Sequence, residues 1–201
     1  MDNLDSKLHK GKDCKEWIET MHFSPDGKWL AIGSHDQFIY IISTADWSLA
    51  DKAQKHSSYI TALDWSLDSK AIKSTCGAYE LLYWDISEDG KITQNPSGRS
   101  EFKNETWDTY TTHFGWAVQG IFRGVIDMTH VNRVDICSHK KFFAVGNDWG
   151  LVELFNSPNN ESSKSKQYRG HSEHVTNVKF GDTHVFSAGG YDQCIMQWKR
   201  S

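Results

Sequence analysis

Four times along this chain an apolar strand leads into a tight turn and then into a second strand that closes on a tryptophan or a large aliphatic residue. Gly33-Ser34-His35-Asp36 runs into Ile42, Gly146-Asn147-Asp148 into Leu154, and Gly189-Gly190-Tyr191-Asp192 into Trp198, with the aspartate six positions ahead of the strand end each time. The remaining copy, Cys76 to Asp85, keeps the strand and a Trp84-Asp85 pair but carries Ala78 where the other three have aspartate. A recurring unit constrains a fold more than composition does, because no single copy can bury its apolar face alone and each must stack on a neighbour.

The period identifies the unit. Asp36 to Ala78 is 42 residues and Asp148 to Asp192 is 44, the length of a four-stranded Trp-Asp blade at about 40–45 residues. The interval from Ala78 to Asp148 is 70, one blade plus an insertion of roughly 26–28 residues. The chain therefore reads as all-β, a WD40-type β-propeller with four blades at about 16–48, 56–87, 117–157 and 170–201. A polar tail covers 1–15, and an insertion lies at about 88–116. Opening strand pairs are expected at Ile18 to Phe23 with Trp29 to Ile32, Ile60 to Trp65 with Ala71 to Ser74, Val131 to Ile136 with Phe142 to Val145, and Val175 to Phe180 with His184 to Ser187. Short strands with imperfect two-residue alternation fit sheets with one better-buried face. The turns Ser24-Pro25-Asp26-Gly27 and Ser66-Leu67-Asp68-Ser69 fall at the same point of their repeats.

The recurring polar residues have a structural explanation. A histidine ahead of the first strand, the turn aspartate and the strand-end tryptophan form a buried hydrogen-bonded chain, stable only when every member is satisfied. The last blade carries His171, Asp192 and Trp198; the second carries His56 and Trp84 with Ala78 at the acid position, so His56 needs another acceptor and that blade is expected to be less rigid. Asp36 and Asp148 are the corresponding acids of the first and third blades.

Enzymatic chemistry finds no support. There is no paired Cys-x-x-Cys metal spacing, no Gly-x-Ser-x-Gly elbow and no phosphate loop ending in Gly-Lys-Ser or Gly-Lys-Thr. Gly170-His171-Ser172 resembles a nucleophile beside a base, but its place ahead of a repeat strand assigns it to the turn network. Neither a cofactor nor a metal is expected. Cys14, Cys76, Cys137 and Cys194 are too widely spaced for a metal pair or a small disulfide framework; they are expected to be reduced, the last three packed in or beside strands. Met1 to Lys15 lacks an apolar h-region and no membrane span is visible, so a cytoplasmic protein without membrane contact is expected. The net charge of −4 argues against nucleic acid as a partner. Basic clusters at Lys7 to Lys15 and Lys164 to Arg169 read as a solvated tail and a mobile polar linker.

Several stretches carry a more specific resemblance. They are His56-Ser57-Ser58-Tyr59-Ile60-Thr61-Ala62-Leu63-Asp64-Trp65-Ser66 followed by Tyr79 to Asp85, Leu30 to Asp36 with Ile39-Tyr40-Ile41, Trp107-Asp108-Thr109-Tyr110-Thr111, and Gly170 to Phe180 ending in Gln197-Trp198. Together they resemble the last four blades of the second propeller of the echinoderm microtubule-associated protein-like family. That resemblance implies a non-enzymatic, microtubule-associated scaffold of the cytoskeleton, in cilium or spindle, with tubulin among its protein partners. The alternative is a generic WD40 scaffold that does not bind tubulin. Trp107, Tyr110 and Trp116 in the aromatic insertion are the candidate partner contacts; packing beneath their own long connection is the competing role.

Four blades in an open arc leave two sheet faces without neighbours, an interaction surface or an aggregation liability. Three arrangements relieve this: a fragment of a longer propeller, a homodimer closing an eight-bladed ring, or closure of four blades alone. A two-fold pairing reuses the same two faces on both copies.

Overall fold

A computed structural model describes residues 9–122, 130–161 and 164–199. The chain divides into two compact units, Met1–Pro96 and Ser97–Ser201. The first holds two four-stranded antiparallel meanders, β1 (Ile18–Phe23), β2 (Trp29–Ser34), β3 (Phe38–Ser43) and β4 (Leu49–Gln54), then β5 (Ile60–Trp65), β6 (Ala71–Cys76), β7 (Leu81–Ile86) and β8 (Ile92–Gln94). The second opens with a short helix, α1 (Gly98–Glu101), and a 3-10 helix (Trp116–Ile121). A third meander follows, β9 (Val131–Ile136), β10 (Phe142–Asn147), β11 (Leu151–Asn156) and β12 (Lys166–Arg169). The last sheet has three strands among the described residues, β13 (Val175–Phe180), β14 (His184–Gly189) and β15 (Ile195–Lys199), with β15 at its edge.

The sheets are an all-β WD40-type architecture. Every first strand has the expected bounds, and every second strand runs two residues further than the alternation predicts. Two differences from the sequence reading stand out. β8 continues the second sheet into the stretch assigned to the insertion. Lys166–Arg169, expected as part of a mobile linker, is instead strand β12 paired with β11. It is held there by Ser165 and Gln167, whose side chains both donate to Glu153 Oε1, at 2.7 and 2.9 Å.

A register shift falls at the start of β1, β5 and β13, between Ile18 and Thr20, Ile60 and Ala62, and Val175 and Asn177. Each bulge leaves one residue unpaired and re-aims the next, which is why the alternation in these strands is imperfect. The turns after β1 and β5 are built alike. Ser24 Oγ donates to Asp26 Oδ1 at 2.6 Å and Gly27 N to Ser24 O at 2.9 Å, while Ser66 Oγ donates to Asp68 Oδ1 at 2.6 Å and Ser69 N to Ser66 O at 3.0 Å. Gly27 closes the first at φ 73°, whereas Ser69 accepts φ 62°. Ser69 offsets that strained backbone with its side chain, whose Oγ receives Asp26 N of the neighbouring sheet at 3.0 Å.

Within the first unit, Ile60, Leu63 and Trp65 of β5 pack on Ala31, Ile39 and Ile41 and are at most 1 % exposed. Gly33 makes room for Ile60: a Cβ there would stand 2.5 Å from Ile60 Cγ2. Burying side chains of this kind contributes about 1.5–3 kcal/mol each. β1 presents Ile18, Met21 and Phe23 at the same strand positions, and these are 52 %, 62 % and 55 % exposed. Val175 and Val178 of β13 repeat the buried arrangement in the second unit, against Ala144 and Val152, with Gly146 opposite Val175.

Candidate functional site: the repeat networks and the aromatic insertion

One polar network recurs in each unit. In the last sheet His171 Nδ1 meets Asp192 Oδ2 at 2.7 Å, His171 Nε2 meets Ser187 Oγ at 2.8 Å, and Trp198 Nε1 donates to Ser187 Oγ at 2.8 Å. In the second sheet His56 Nδ1 meets Glu80 Oε2 at 3.4 Å, His56 Nε2 meets Ser74 Oγ at 2.6 Å, and Trp84 Nε1 donates to Ser74 Oγ at 2.7 Å. Donor chemistry fixes the protons. An indole N–H can only donate, so the serine oxygen accepts from it and the serine O–H donates to Nε2. The imidazole proton is left on Nδ1, where the carboxylate accepts it.

The structure therefore brings together His56 with Trp84, and His171 with Asp192 and Trp198, and adds three residues that the sequence reading missed. Ser74 and Ser187 are the bridging members, each the fourth residue of its second strand. Glu80 takes the acid role that Ala78 left open, so His56 has its acceptor within the chain. The Ser57 backbone and side chain both donate to Glu80, at 2.9 and 2.8 Å, and these bonds hold its pKa down at about 2. Burial holds His56 below its usual pKa, hence neutral, in keeping with the proton assignment. Asp192 is held below the ordinary carboxylate range, first by the N–H of Cys194.

The other two acids are employed differently. Asp36 accepts from the Tyr40 hydroxyl at 2.6 Å and from Lys15 N at 2.9 Å. Burial alone would raise its pKa; the Tyr40 hydroxyl and the N–H groups of Lys15 and Phe38 outweigh burial and lower it. Asp148 is exposed and receives Asn132 Nδ2 at 2.9 Å, while its buried neighbour Asn147 donates to Glu153 at 3.1 Å. Neither aspartate meets a histidine among the described residues, so the histidine-to-tryptophan network belongs to the second and fourth sheets.

His56, Cys76 and Glu80 place one ligand atom each within 4.8 Å of one another, the spacing a metal ion would need. The donors present do not fit one. Burial raises the Cys76 pKa and keeps the thiol protonated, Cys76 Sγ donates to Glu80 Oε2 at 3.2 Å, and His56 Nδ1 bears the proton. Cys76 and Cys137 are buried; Cys194, expected to be packed, is exposed because it lies in the open turn before β15.

In the insertion, Trp107 is 3 % and Tyr110 6 % exposed. Trp107 meets Phe102 edge-on at 5.9 Å, and Tyr110 meets Phe143 of β10 edge-on at 5.2 Å. Their burial withdraws both rings from direct contact with a partner. Trp116 remains at the surface, 37 % exposed, with Lys103 Nζ 4.0 Å from its ring centroid. Burial, then the Arg133 charge, lowers the pKa of the nearby His113 to about 4.

The model of the echinoderm microtubule-associated protein second β-propeller matches residues 2–200. The ciliary WD repeat-containing protein ctxp80 of Euplotoides octocarinatus is 45 % identical over 200 residues, covering 98 % of this chain and 28 % of that protein. Human echinoderm microtubule-associated protein-like 4 is 42 % identical over 194 residues, covering 93 % of this chain and 20 % of that protein. The chain thus spans less than a third of the relatives it matches. Among solved structures, the Cps50 (Swd1) β-propeller domain of Myceliophteria thermophila is similar with a TM-score of 0.63 at 14 % identity, covering 94 % of this chain and 68 % of that one. With repeat networks in two sheets and a family match over nearly its whole length, the chain belongs to the echinoderm microtubule-associated protein second β-propeller family.

Proposed function

We propose that this chain acts as a non-enzymatic interaction scaffold of the cytoskeleton, part of a microtubule-associated protein. The observation that carries the reading is the family match across residues 2–200. It is supported by the polar clusters, whose histidines and acids are spent on internal hydrogen bonds instead of facing a substrate. The contact surface assigned to this role includes Trp116 with Lys103 above it. Co-sedimentation with polymerised tubulin tests it: the wild type pellets saturably, Trp116→Ala weakens pelleting, and absence of pelleting at low salt overturns microtubule binding by this segment. In cells, a tagged chain is expected on microtubule arrays, with cilium and spindle the first to inspect; a diffuse distribution counts against the assignment.

The net charge of −4 favours a second reading, a scaffold for a partner other than tubulin, because an acidic polymer surface attracts basic faces. That reading predicts no pelleting at any salt concentration while affinity capture still returns a protein partner. The exposed Ile18, Met21 and Phe23 face of β1 supports a further sheet seated there, from a second copy or from additional blades.

A further inference from the structure

Each sheet places a ring on the residue just ahead of its first strand, and the carbonyl of that residue accepts the N–H of the residue just after the second strand. The pairs are Trp17 with His35 at 2.8 Å, Tyr59 with Gly77 at 2.9 Å, His130 with Asp148 at 3.0 Å and His174 with Gly190 at 3.0 Å. In three sheets the ring is met by another from its own turn: Trp17 by His35 at 5.7 Å, His130 by Trp149 at 4.7 Å and His174 by Tyr191 at 5.9 Å. The second sheet has Gly77 in that turn, where a Cβ would stand 2.5 Å from Tyr59 Cε1. Tyr59 instead stacks on His35 of the neighbouring sheet, with centroids 4.5 Å apart and planes 24° apart. The stack brings in an acid, because Glu19 Oε2 lies 3.1 Å from His35 Nε2. The second residue of the other first strands is Thr61, Asn132 or Thr176, so only the first sheet puts a carboxylate at this position.

Two other rings already carry a cation of the chain itself: Lys52 Nζ is 5.1 Å from the Phe38 centroid and Lys103 Nζ 4.0 Å from that of Trp116. Among the described residues no such cation sits over Tyr59, which is 42 % exposed. Its surroundings are anionic. Glu80, whose pKa is held at about 2, is tied to Ser57, two residues ahead of Tyr59. The segment Met1–Pro96 as a whole carries 15 Asp and Glu against 10 Lys and no Arg. An exposed ring beside a carboxylate, in an acidic unit, favours a cation that comes from elsewhere.

We propose that Tyr59 and Glu19 form a recognition site for an arginine in a basic segment of a partner protein. The guanidinium lies against the exposed part of the Tyr59 ring, and its N–H fork meets the Glu19 carboxylate, whose two oxygens can accept more than the His35 contact. Arginine suits the site better than lysine because a guanidinium is planar and more weakly hydrated, so it stacks at a smaller cost in lost water. His35 is the positioning residue, touching ring and carboxylate at once. The inference deepens the scaffold reading by naming the chemistry of one partner. Its test contains no tubulin and asks only about arginine, so its failure leaves that reading standing.

Fluorescence anisotropy with short fluorescein-labelled peptides and the full chain is the test. The probes alternate Gly with Arg, with Lys, or with citrulline, which keeps the shape of arginine without its charge. The Gly-Arg peptide binds saturably and more weakly as salt rises; the Gly-Lys peptide binds at least about threefold more weakly, and citrulline abolishes binding. Tyr59→Leu weakens Gly-Arg binding by about fivefold or more, and Tyr59→Phe, which keeps the ring, retains it. Glu19→Gln weakens it by about threefold, the scale of an exposed ion pair. Glu88→Gln, which removes an exposed carboxylate in the turn between β7 and β8, leaves it unchanged. Circular dichroism confirms that the variants fold, and Glu19→Gln and Tyr59→Phe carry the test if Tyr59→Leu does not. No saturable binding of the Gly-Arg peptide, equal binding of the citrulline peptide, or binding indifferent to Tyr59→Leu overturns the proposal. So does equal weakening by Glu19→Gln and Glu88→Gln, which would make attraction to net charge the whole effect.

Discussion

Replacing Ser74 by alanine isolates the hydroxyl that joins imidazole to indole. Ser74 is fully buried, with Trp84 and His56 only 1 % and 3 % exposed, so neither freed group gains access to water. The substitution leaves Trp84 Nε1–H and His56 Nε2 without their partner. Each buried polar group left unsatisfied costs about 1–3 kcal/mol, so together they cost about 2–6 kcal/mol. Ser187→Ala removes the same hydroxyl from the last sheet, where Trp198 is partly exposed and water compensates its N–H; the cost there is about 1–3 kcal/mol. The exposed Ser48→Ala serves as a control expected to stay within about 0.5 kcal/mol. Urea unfolding gives the magnitudes. Amide hydrogen exchange gives the location, with β6 and β7 exchanging faster in Ser74→Ala and β14 and β15 unchanged. A Ser74→Ala loss no larger than that of Ser48→Ala, or smaller than that of Ser187→Ala, would refute the network as the source of rigidity.

Acidification tests the neutral histidines. The folded pKa of His113 is about 4 against 6.5 unfolded, so it contributes stability that is complete above 6.5 and lost as pH falls towards 4; that of His56 is also lowered, so its contribution is likewise lost as pH falls below 6.5. At His113 the loss reaches at most about 3 kcal/mol. Glu80, at about 2 against 4.5, adds a further loss only below 4.5; a urea midpoint that stays flat between 6.5 and 4 contradicts the His113 assignment. Gly33→Ala places a methyl 2.5 Å from Ile60 Cγ2 and 2.9 Å from Thr20 Cγ2, an overpacking cost of about 1–3 kcal/mol. Gly27→Ala meets nothing within 4 Å and suffers only from its φ of 73°, so thermal melts should show the smaller loss there. Light scattering coupled to size exclusion addresses the exposed β1 face. A mass of twice 23.0 kDa supports a second copy on that face, and a monomer at micromolar concentration removes the homodimer.

How much of this was legible in the sequence depends on whether the cause was local. The first strands were readable to the residue because each is bounded by turn chemistry, Ser-Pro-Asp-Gly after β1 and Ser-Leu-Asp-Ser after β5, that acts within four positions. The acid of the second sheet was not, because the hairpin changes shape. Asp192 lies five residues after Ser187 and six before Trp198; Glu80 lies six after Ser74 and four before Trp84. Alignment on the tryptophan therefore lands on Ala78, while the longer glutamate side chain reaches His56 from a displaced backbone position. The serines were invisible for a different reason. Ser74 pairs with Leu82 and Ser187 with Met196, and each network tryptophan lies two residues beyond that partner on its strand. Such diagonal neighbours share a sheet face, but register must be known before they can be named. Aromatic content of the insertion likewise could not say which rings face inward; Trp107 and Tyr110 are decided by their contacts with Phe102 and Phe143.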